Sequence, residues 1–113
     1  MKFHVPKSES NILREITIWL DSQDIWWRRI PVGAVMHSGV RKKSPLCGMP
    51  DIMGIIPNSD GRFFFIECKS ENGTISDIQQ KTMDELEAQG VLVIVAQSLD
   101  DVTPYLTTKA FAI

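Results

Sequence analysis

Apolar positions along this chain follow two rhythms, a helical one near each end and an extended one between. Over residues 8–21, Ile12, Leu13, Ile16, Trp19 and Leu20 recur at the spacing of one broad helical face. Ser8 precedes the stripe as an N-cap. Glu9 falls at the edge of that face, and Glu15 lies off it, nearer solvent. Residues 25–30, Ile-Trp-Trp-Arg-Arg-Ile, predict a strand ended by Pro31. Residues 32–49, punctuated by Gly, Ser and Pro, predict an irregular connection that is long for a small domain. Residues 52–56 and 62–69 then read as two apolar strands joined by the turn Pro-Asn-Ser-Asp-Gly at 57–61.

A second helix is predicted over residues 76–89. Ser76 and Gln79 form a capping box at its start, and Gly90 closes it. Ile78, Met83, Leu86 and Thr82 would supply its apolar face. Residues 91–96 are continuously apolar, the pattern of a central strand. A right-handed crossover should set that strand parallel to the one ending in Glu67. Residues 98–106 predict a short last helix, with Pro104 near its end. The predicted fold is α/β: a mixed four-stranded sheet flanked by helices, in the order αβββαβ plus a short C-terminal helix.

The strand Arg62-Phe-Phe-Phe-Ile-Glu-Cys-Lys69 ends in charge. Side chains alternate along a strand, so Glu67 and Lys69 share a face with Phe63 and Phe65, and Cys68 points the other way with Phe64 and Ile66. Asp51 opens the preceding strand. The short turn therefore brings Asp51, Glu67 and Lys69 to one spot. Carboxylates at the rim of an apolar strand are costly to desolvate unless they pair, bind metal or work. Mg²⁺ binds through a few carboxylates plus water and phosphate oxygens. Asp51 and Glu67 suit it, with the Cys68 backbone carbonyl as a further oxygen and Glu9 as an additional ligand, directly or through water. Lys69 would orient or deprotonate a water, or stabilise charge on phosphorus. Each residue also has a plainer reading. Glu67 and Lys69 make a surface ion pair, Asp51 caps a turn, Gln79 only completes the capping box, and Glu9 favours the helix dipole.

At 113 residues the chain has the length of one domain, spanning 1–113. Its two cysteines and two histidines fit no zinc or redox spacing, which suits free thiols in a reducing cytoplasm. No run is long enough to span a membrane, and no signal-peptide core opens the chain. The net charge of −2 hides an asymmetry. Residues 25–50 hold five basic residues, Arg28, Arg29, Arg41, Lys42 and Lys43, and no acidic one. A basic segment on an acidic body points to an anion such as DNA, or to nothing more than a solvated loop.

Gly48-Met-Pro-Asp51, Phe65-Ile-Glu-Cys-Lys-Ser70, Ser76-Asp-Ile-Gln79 and Glu9 at the start of the first helix together resemble the VRR-NUC branch of the PD-(D/E)XK nucleases, over roughly residues 8–97. The resemblance implies a restriction-endonuclease-like core and a DNA phosphodiesterase that uses Mg²⁺, with Mn²⁺ as substitute. It implies metal-associated Glu9, Asp51 and Glu67, catalytic Lys69 and an accessory Gln79. Glu15 competes with Glu9 for the first position. Cys68 stands where many members carry Val or Ile. The single-domain form is similar to phage proteins and to Holliday-junction resolvases, which implies branched DNA, a homodimer and the cytoplasm of a bacterial host. The competing reading is a nuclease fold that binds nucleic acid without turnover.

Overall fold

A computed structural model describes residues 5–33, 35–37, 40–42 and 44–107, with residues 35–37 and 40–42 described by their backbone alone. Helix α1 (Glu9–Ser22) starts where the Ser8 hydroxyl accepts the Asn11 N–H at 3.2 Å. Its apolar stripe buries Ile12, Ile16 and Leu20. The four-stranded sheet runs β1 (Trp27–Arg29), β4 (Ile52–Ile55), β5 (Phe63–Cys68), β6 (Leu92–Ala96) across its width. β4 runs antiparallel to both of its neighbours, β1 and β5, and β6 is parallel to β5. The expected mixed sheet and its parallel last pair are therefore present. Ile52 pairs with Ile66, so Asp51 stands beside Glu67 at the sheet end.

One face of the sheet makes the core. Ile52, Phe64, Ile66, Cys68, Ile94 and Ala96 pack under α1 together with Val102 and Leu106. Gly54 is essential to this packing. A Cβ there would lie 2.2 Å from the Phe64 ring, so the missing side chain is the space the ring occupies.

Several expectations are corrected. β6 is an edge strand rather than a central one, and its Val95 is exposed. An apolar run records that both faces are partly covered, which does not require a neighbour on both sides. Helix α2 (Asp77–Ala88) buries only Met83, and Ile78 is exposed. The stretch expected to be irregular contains a hairpin, β2 (Val35–His37) with β3 (Val40–Lys42), as a separate two-stranded sheet. The last helix is two pieces: a 3₁₀ turn, Leu99–Asp101, and α3 (Thr103–Leu106). Pro104 lies in the first turn of α3 rather than near its end, where its missing N–H costs nothing.

Candidate active site

Asp51 is tied to two strands at once. Its N–H donates to the Ile66 carbonyl of β5 at 3.0 Å, and its carbonyl accepts the Ile30 N–H just beyond β1 at 2.8 Å. Its carboxylate Oδ2 accepts the Cys68 N–H at 2.8 Å. The turn before it is held by Gly48, whose φ of 91° is left-handed. A Cβ there would also meet Thr82 Oγ1 at 2.8 Å, so this backbone lies directly against α2.

Glu67 is 3% exposed, the fourth of five consecutive buried residues in β5. Its Oε1 accepts the Gln79 amide N–H at 3.3 Å and lies 3.6 Å from Lys69 Nζ. Its Oε2 is buried and has no hydrogen-bond partner. Burial, reinforced by the neighbouring Asp51 charge, pushes the Glu67 carboxyl up to about 7, with Lys69 acting in the opposite sense. Lys69 Nζ also lies 3.8 Å from Glu9 Oε1. The lysine side chain is 12% exposed and that of Glu9 is 52% exposed, so the lysine bridges a buried acid and an open one. The Glu67–Lys69 contact is thus not a solvated surface pair.

Gln79 makes two contacts at once. Its amide oxygen accepts the Ser76 N–H at 3.0 Å in the capping box, and its amide N–H donates to Glu67. Glu15 is paired with Lys7 at 2.9 Å and makes no contact with this cluster, so Glu9 is the acid of α1 that reaches it. Cys68 faces the core, and burial, then Asp51 and Glu67, push its thiol up to about 12, with Arg29 partly offsetting them. Such a thiol is not a nucleophile at neutral pH.

The five basic candidates separate. A cleft of about 130 Å³ is lined by Glu9, Ser10, Leu13, Arg29, Asp51 and Cys68. Arg28 points elsewhere and lies 4.8 Å from the Trp26 ring centroid. The side chains of Arg41 and Lys42, and Lys43 altogether, lie outside the described residues. Sequence reasoning treated the two adjacent arginines alike, although strand alternation already separates them.

Among the described residues, no group of three or more His, Cys, Asp or Glu side chains gathers into a metal-holding cluster. Mg²⁺ does not demand one, since it keeps several waters and binds through one or two carboxylates. Two neighbouring carboxylates, one with an unpartnered buried oxygen, fit such an ion. The charges fit as well. Glu9, Asp51 and Glu67, when ionised, outnumber Lys69 and Arg29 by one, and a divalent cation would reverse that sign. Among known protein families, the VRR-NUC domain matches residues 8–100. No curated protein matches the chain.

Proposed function

This chain belongs to the VRR-NUC domain family, a nuclease family, and from that premise we propose that it is a divalent-metal-dependent DNA endonuclease. The observation that carries this reading is Glu67, a buried carboxylate facing Asp51 with one oxygen unpartnered. An unpaired buried carboxylate oxygen is expensive and suits a cation. A divalent ion, Mg²⁺ with Mn²⁺ as substitute, held by Asp51, Glu67, the Cys68 carbonyl and Glu9 through water, would acidify a water and neutralise phosphoryl charge. Lys69, set between Glu67 and Glu9, has one ammonium to orient that water or to meet the charge developing on phosphorus. Gln79 fixes the Glu67 carboxylate so that its free oxygen keeps one direction.

The finer reading is a structure-selective enzyme, acting on branched DNA as a homodimer, with Arg28, Arg29, Arg41, Lys42 and Lys43 on the DNA. Of the three tryptophans, Trp19 and Trp27 pack against the core, and Trp26 is 44% exposed. The tryptophans therefore add only Trp26 to the case for pairing, which rests on the resemblance to resolvases.

Asp51→Asn and Glu67→Gln keep shape and remove charge. Each should lower cleavage of duplex, flap, fork and four-way-junction DNA by orders of magnitude, with DNA binding retained. Cleavage that persists undiminished in excess EDTA would overturn the metal-dependent reading. Binding without any Mg²⁺-dependent nicking would favour an inert module on a nuclease fold.

A further inference from the structure

Arg29 and Arg28 line one cavity together with Trp26 and Trp27, but only Arg29 also lines the cleft beside Asp51. Arg29 sits opposite Ile52, the residue after Asp51, and the next N–H along the chain, that of Ile30, donates to the Asp51 carbonyl. The backbone of Arg29 is thus held one pairing step from the acid. Arg29 lines the same cleft as Glu9 and Asp51, and its charge partly offsets theirs at the Cys68 thiol. Among the described residues it forms no ion pair with either acid, nor any hydrogen bond. A guanidinium beside carboxylates that does not pair with them keeps its fork of donors available. Lys69, by contrast, already has two carboxylates within 4 Å.

We propose that Arg29 is a positioning residue that grips a DNA phosphate in this cleft, the one flanking the scissile phosphate. The assignment rests on the nuclease reading above. Lys69, Glu67 and Asp51 occupy the sheet end where the reacting phosphate would sit. The cleft carrying Arg29 opens on the α1 side of Asp51, between β1 and the first turn of the helix. A nucleic-acid strand crossing the sheet end would pass this cleft as it leaves Asp51. The guanidinium matches two non-bridging phosphate oxygens, and it offers them nothing that a base could discriminate. The contact exists equally before and during the reaction, so it strengthens binding without changing the chemical step.

Binding is read by anisotropy of a labelled duplex in EDTA, where metal-dependent cutting is stopped. Arg29→Ala should weaken binding roughly tenfold and lower the slope of log K against log salt by about 0.9, with Arg29→Lys in between. Single-turnover cleavage in Mg²⁺ should show a higher half-saturating protein concentration and a saturating rate within about threefold of wild type. Thermal melts confirm the fold, and Arg29→Gln replaces any variant that melts early. The decisive probe is a methylphosphonate at one flanking position of a mapped cut site. It should weaken binding by wild type and have no further effect on Arg29→Ala. An equal methylphosphonate penalty in both proteins, or a variant with wild-type affinity and salt slope, overturns the assignment while leaving the nuclease reading intact. Wild-type protein that neither binds nor cuts DNA overturns both.

Discussion

The two faces of the sheet are built for different tasks. Under α1, the side chains of Ile52, Phe64, Ile66 and Cys68 meet Ile12, Ile16 and Leu20 in a dry core. Under α2, Phe63 and Val95 are exposed, the helix buries only Met83, and the same face ends in Glu67 and Lys69. Stability is concentrated on one side and costly charge on the other. This separation lets a buried carboxylate with an unpartnered oxygen persist, because the opposite face supplies the stability that offsets it.

The separation can be broken most severely from the α1 side. Phe64→Ala empties the ring's place over Gly54 and should destabilise the fold by about 3–5 kcal/mol, seen as a large drop in denaturant midpoint. A loss below about 1 kcal/mol would mean that the core does not depend on this ring.

The next largest effect is from the charged side and depends on pH. The folded-state pKa of Glu67 is raised to about 7 from an ordinary 4.5, so the folded protein binds the proton more tightly than the unfolded chain does. Below the unfolded value this carboxyl carries no penalty. As pH rises through the window between the two values, stability falls, by up to about 3 kcal/mol, and then levels off. Glu67→Gln lacks that penalty. In EDTA its stability relative to wild type should grow across the same window and level off above it. A difference that stays constant with pH would show that Glu67 ionises in the fold as it does in water.

Lys69→Met keeps the aliphatic stem and removes the charge. Cleavage should fall roughly a hundredfold, about 2.7 kcal/mol of barrier, with little change in melting. Melting should hold because Glu67 can take up a proton once its cation is gone. A variant that cuts at the wild-type rate would reduce Lys69 to a structural ion pair.

The smallest expected effect isolates the Gln79 amide. Gln79→Glu keeps an acceptor for the Ser76 N–H, so the capping box survives, but it turns a carboxylate toward Glu67 in place of a donor. Circular dichroism should be unchanged and single-turnover cleavage should drop about tenfold, roughly 1.4 kcal/mol. Unchanged cleavage would leave Gln79 as a helix cap alone.

The site acids were legible because their placement depends on short-range rules. A five-residue turn and strand alternation suffice to put Asp51 beside Glu67 and to turn Cys68 into the core. Glu9 was legible as a position at the edge of the apolar face but competed with Glu15, a second acid of the same helix. Only the Lys7–Glu15 pair and the reach of Lys69 separate them. What failed depended on tertiary context. The run Val91-Leu-Val-Ile-Val-Ala96 reads the same at the edge of a sheet as at its centre. Ile78 has helical spacing, but α2 turns it outward, beside the Gly48 turn. The hairpin of β2 and β3 had a sequence signal, the Ser-Gly dipeptide at 38–39, outweighed by the surrounding polar punctuation.

Asp51 is stitched into β1 and β5 through its N–H, its carbonyl and its carboxylate together. Its own amide, bonded to the Ile66 carbonyl, can exchange with solvent only when β5 parts from it, which in a sheet this narrow means global unfolding rather than local fraying. Heat should therefore not silence this site piecemeal. Loss of activity and loss of structure should share a single transition, with no folded but inactive species at intermediate temperature. The lifetime of this arrangement is then the lifetime of the native state itself, set by the unfolding rate of the whole domain.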